Sequence, residues 1–164
     1  MSTRMGEPVA LPHRLTVMLA ALWWGGLTAL AFVAVPMLFA RLGSPAVAGP
    51  VAAALFAVIA KVSIVAGLTC GFFLMRKVPF LQSKKTLAAI VLCILAVLAA
   101  TVQDTWVAQQ IVTARASGGN LKFWHGLGTS LVFLQWLAAG WTLWVLASPN
   151  LASHSARSGQ QALG

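Results

Sequence analysis

Residues 51–75 read VAAALFAVIAKVSIVAGLTCGFFLM, and Lys61 is the only charge among them. A helix of about 20 apolar residues crosses the hydrocarbon of a bilayer, so this run is long enough to span. Lys61 lies about ten residues from its start, roughly 15 Å deep. A lysine at that depth costs about 2.5–3.5 kcal/mol on insertion scales, so it calls for water, a partner or a use.

Three more runs of this kind flank it. The apolar pattern predicts helices over residues 15–40, 51–75, 86–112 and 123–147, with a tail at 1–14 and a Ser/Ala/Gln-rich disordered tail at 148–164. The fold class expected is all-α, an integral membrane four-helix bundle. Composition agrees: the chain is 60% hydrophobic and 8% charged, with mean hydropathy +0.89. A soluble domain carries about 25% charged residues. A signal peptide is the competing reading for the first run, because Arg14 precedes an apolar stretch and Ala29-Leu30-Ala31 follows. The run continues well past that point, so an uncleaved helix is expected.

The formal charge is +9. The basic residues punctuate the apolar runs and form no dense patch, so nucleic acid is not the expected partner. The lipid bilayer is. With four spans, Arg4, Arg14, Arg76, Lys77, Lys84, Lys85 and Arg157 fall on one side, and Arg41, Arg115 and Lys122 on the other. Positive charge favours the cytoplasmic side, so both termini are expected in the cytoplasm, in a bacterial inner membrane.

That orientation brings the unusual polar residues to similar depth. Lys61 leans outward along its helix, Asp104 lies towards the outer end of the third span, beside Gln103, and His125 opens the fourth. Lys61, Asp104, Gln103 and His125 are therefore the candidate polar site. Their same-face neighbours are mostly small: Ala54, Ala57 and Val58 for Lys61, Val97, Ala100, Thr101 and Ala108 for Asp104, Gly128 and Thr129 for His125. Small residues mark helix contacts in membranes, so the polar groups are expected to look into the bundle. Gly25, Gly67 and Gly71 are the candidate helix-packing glycines, the last two as a GxxxG pair. Pro36 cannot donate a backbone bond, which is expected to leave the Phe32 carbonyl free. Cys70 and Cys93 form neither a CxxC nor a zinc spacing and read as small core residues.

Residues 22–42, LWWGGLTALAFVAVPMLFARL, then 48–56, AGPVAAALF, and Phe123-Trp124-His125 resemble the transmembrane-protein-205-like family. The resemblance covers most of residues 20–147. It implies a four-helix membrane protein without an assigned biochemical activity, and Lys61 stands outside its pattern. A more distant similarity to copper-resistance-D-like proteins implies haem or copper as the alternative cofactor. Against it, only His125 lies within a predicted span, His13 falls at the opposite face, and Met37 is the one further metal-ligating candidate nearby.

No Ser/His/Asp set, carboxylate pair or phosphate loop is present, so no catalytic residues are assigned and an enzyme is not expected. The reading is an accessory or stress-related membrane protein with no assignable reaction. The alternatives are a transporter component using the outer-half polar site, or a haem- or copper-binding protein. Four helices are few for a monomeric carrier, so transport would need a homo-oligomer.

Overall fold

The computed structural model describes residues 11–77 and 84–148. The N-terminal tail before Leu11, most of the second connection, His154 and the C-terminal tail lie outside them. The described residues form four long helices and no strand: α1 (Leu11–Leu42), α2 (Pro45–Lys77), α3 (Lys84–Ser117) and α4 (Leu121–Ala147). Each is long and apolar enough to cross a membrane.

The helices overrun their apolar cores, because nothing stops them where the hydropathy falls. The α1–α2 connection shrinks from the expected residues 41–50 to Gly43 and Ser44. Gly43 ends α1 at φ +63°, a left-handed conformation that suits glycine. The Ser44 carbonyl then accepts from Val47 and Ala48 N–H, and Pro45 occupies the first turn of α2, where its fixed φ suits a helix start. Pro50 thus sits inside α2 rather than opening it. The loop expected at residues 113–122 shrinks likewise. α3 runs on to Ser117, Gly118 turns the chain at φ +74°, and the Asn120 side chain accepts from Phe123 N–H at 3.0 Å to cap α4.

Two π-helical turns interrupt the regular winding, at Ala29–Ala34 in α1 and Gln103–Val107 in α3. In α1 the Val35 N–H reaches back five residues to Leu30 O. The wide turn gives up one intrahelical bond and Pro36 gives up another.

The helices form a ring in chain order, each antiparallel to its neighbours, with α4 closing on α1. Inside lie Trp23 and Leu27 of α1, Ala66 and Cys70 of α2, Cys93 and Ala96 of α3, and Ala138 and Leu146 of α4. Small residues let backbones approach. A Cβ built on Gly67 would stand 2.8 Å from Val97 Cγ2, and one on Gly140 2.9 Å from the Trp24 indole nitrogen. Gly71 abuts Cys93 and Gly26 abuts Ile59, whereas nothing lies within 4 Å of a Cβ at Gly25. The close approach in α1 thus falls one residue after the expected glycine.

Polarity is inverted relative to a soluble bundle. Val58, Val62, Val65, Leu68 and Phe72 of α2 and Val91, Ile94 and Leu98 of α3 face outward, while Ser63, Gln103, Gln135 and Thr142 are buried. Soluble monomers rarely expose apolar surface this continuous.

Candidate functional site

Every neighbouring pair of helices is tied by polar side chains. Trp23 Nε1 of α1 donates to Ser63 Oγ of α2 at 2.9 Å. Gln135 Nε2 of α4 donates to Gln103 Oε1 of α3 at 2.8 Å, and Cys93 Sγ lies 3.3 Å from Thr142 Oγ1 between the same helices. Trp136 Nε1 of α4 donates to Thr28 Oγ1 of α1 at 2.9 Å. The fourth seam, α2 to α3, is held by Lys61 Nζ, 3.1 and 3.3 Å from the two carboxylate oxygens of Asp104. Between membrane-spanning helices such bonds average about 0.6 kcal/mol each, a size that sets register more than stability.

The Lys61–Asp104 tie differs from the others in where it sits. The Lys61 side chain is 66% exposed and that of Asp104 23%. Both lie on the outer face of the α2–α3 seam. The ammonium also donates to Ala57 O, one turn back at 3.3 Å, so the side chain lies along its own helix towards the N-terminal end of α2. The expectation that the pair looks into the bundle is therefore corrected. Small size misled because α2 carries small residues on both faces: Ala52, Ala60 and Ala66 are buried, Ala53 and Ala54 exposed.

The π turn of α3 sorts the two polar neighbours. Gln103 is buried and faces Gln135, while Asp104 faces Lys61. Gln135 Oε1 is buried and without a partner. His125 joins neither group. It is exposed on α4, and Gly128 faces Val107 of α3. That register puts His125 level with about residue 110, roughly 9 Å beyond Asp104 along the axis. The four candidate residues thus form an outer pair, an inner pair member and an isolated imidazole, not one pocket. An apolar groove of about 290 Å³ lies between α1 and α2, lined by Leu19 of α1 and by Lys61, Val62, Val65 and Ala66 of α2.

His13 packs its ring against Phe73 at the end of the bundle away from His125, with centroids 5.8 Å apart. Among the described residues, no three His, Cys, Asp or Glu side chains gather as a metal site. Cys70 and Cys93 are both free and buried.

The sequence marks Trp124 as an interfacial anchor and places Trp144 towards the end of the same helix, and the structure puts aromatic contacts at both ends of the bundle. At the end of the bundle that carries the Gly43 and Gly118 turns, the turn end, Trp106 meets Trp124 edge to face at 5.3 Å, and Trp124 meets Phe123 at 5.1 Å. At the other end, Lys85 lies over the Trp144 ring at 5.8 Å and Arg76 over Phe72 at 5.0 Å. Trp124 and Trp144 stand about 20 residues apart on one helix, roughly 30 Å. That equals the thickness of a bilayer's hydrocarbon core.

The chain belongs to a family described as a domain of unknown function, DUF4149, whose model matches residues 18–120. The match runs from α1 to the residue before α4, so it includes Lys61 and Asp104 but not Gln135 or His125. No curated protein and no solved structure matches the chain.

Proposed function

We propose that this member of the DUF4149 family is an integral membrane protein with four transmembrane helices and both termini cytoplasmic. It acts as a non-enzymatic accessory protein that recognises a partner inside the bilayer through the Lys61–Asp104 pair. The observation that carries this reading is the outward position of the pair within an apolar band. Lys61 lies about 15 residues from Arg76, roughly 22 Å, and Asp104 about 11 residues from Arg115, roughly 16 Å. A charged pair turned towards hydrocarbon is unfavourable, and intramembrane charges face protein or water. Contact with another protein removes the lipid from the pair.

The spacing of Trp124 and Trp144 supports the membrane register, and the seven-to-three distribution of basic residues supports the orientation, as expected of a bacterial inner membrane protein. The divergence of Gln103 from Asp104 and the distance to His125 argue against a single carrier site.

A photo-cross-linking residue at Thr105, beside the pair, and one at Leu137, on the exposed face of α4, test the reading in intact cells. Protein adducts at Thr105 and lipid adducts alone at Leu137 are expected. Lipid adducts alone at both positions would remove the recognition role.

A further inference from the structure

We propose that the partner covering the Lys61–Asp104 face is a second copy of this chain, in a parallel two-fold dimer. The inference rests on the recognition reading and goes further by naming the occupant.

The patch has the composition of a helix interface although it lies outside. Around the pair, Ala54 of α2 and Thr101, Thr105 and Ala108 of α3 are exposed. The two threonine hydroxyls donate to their own helix, Thr101 Oγ1 to Val97 O at 2.9 Å and Thr105 Oγ1 to Thr101 O at 2.8 Å. Their protons are used, and their oxygens add no unmet donor to an apolar contact. Small residues and hydroxyls turned outward are what close helix approach in a bilayer requires. Val58 and Val65 border the pair on α2, and further along these helices the outer surface is larger and apolar, as at Leu68, Phe72, Ile94 and Leu98.

Charge complementarity selects the occupant. A bilayer gives every copy the same orientation, so a two-fold axis must run along the membrane normal. Such an axis keeps each residue at its own depth and sets left against right. The α2 of one copy therefore faces the α3 of the other. Lys61 of each copy then lies opposite Asp104 of its mate, and four charges alternate in sign around one ring. The patch is self-complementary, as an isologous interface must be. A different protein would have to supply both charges, in mirrored order, at the same depth.

The test uses the charge-swapped chain Lys61→Asp/Asp104→Lys, which keeps the pair within each copy. Wild-type and swapped chains carry different epitope tags and are expressed together, each with a photo-cross-linking residue at Val58. Wild type is expected to cross-link with wild type and swapped with swapped. Mixed dimers would bring lysine against lysine and aspartate against aspartate, and should fall by about tenfold or more. Mixed dimers at the same yield as like dimers would overturn the proposal. If the swapped chain does not accumulate, wild-type chains alone decide. A self-adduct of twice the chain mass from Val58 and Thr105, absent from Leu137, supports the dimer. Adducts from both sites with a different protein only would overturn the second copy and leave the recognition reading standing. Adducts with lipid only would end both.

Discussion

Gln103 and Asp104 are adjacent in sequence and serve opposite sides of α3. Gln103 is buried against Gln135 of α4, and Asp104 turns out to Lys61 of α2. The π turn that contains both lets one short stretch tie α3 to each of its neighbours.

The inner tie makes the first prediction. Gln135→Leu leaves the Gln103 amide buried without its partner and should lower stability by about 1 kcal/mol. Gln103→Leu/Gln135→Leu removes both polar groups and should recover most of that loss. Detergent-titration unfolding of the three chains reads it; a double variant no better than Gln135→Leu would mean that the amides are not coupled.

The glycines make a contrasting pair. Gly67→Ala puts a methyl 2.8 Å from Val97 Cγ2 and 3.4 Å from the Cys93 carbonyl oxygen, so Val97 must turn or α2 and α3 must separate. A loss of about 1–3 kcal/mol is expected. Gly25→Ala meets nothing within 4 Å and should be neutral or stabilising by about 0.5–1 kcal/mol. Equal losses in thermal unfolding would mean that the α2–α3 contact is not as close as described.

Cysteine labelling tests the proposed orientation. Cys70 and Cys93 are buried, so they should stay silent in the folded chain and need not be removed. Ser44→Cys and Ser117→Cys lie at the turn end and should react with an impermeant maleimide added to intact cells. Ser148→Cys lies at the other end and should react only after permeabilisation. The reverse pattern would turn the protein over in the membrane.

The ring of four helices was legible because apolar runs of this length admit few other structures. So was the meeting of Lys61 with Asp104, since opposite charges at similar depth on adjacent antiparallel helices find each other. The direction in which the pair faces was not legible. Ala53 and Ala54 point out while Ala52 and Ala60 point in, so residue size carried no side information on α2. The π turns were not legible either, because a one-residue slip in winding leaves composition unchanged. The helix ends were misjudged where hydropathy was taken as the limit. Residues 45–50 and 113–117 are helical by backbone bonding, and Gly43 and Gly118 set the ends through their left-handed φ.

The most direct test is a double-mutant cycle on the outer pair. Lys61→Met, Asp104→Asn and the double variant are unfolded thermally in a mild detergent, at a dilution where only single chains are present. Either single change leaves one charge without its counterpart, and both together remove the demand. The account predicts that the double variant is more stable than the less stable single one, with a coupling of about 0.5–1 kcal/mol. Strictly additive losses would contradict it, because Lys61 and Asp104 would then not be a pair.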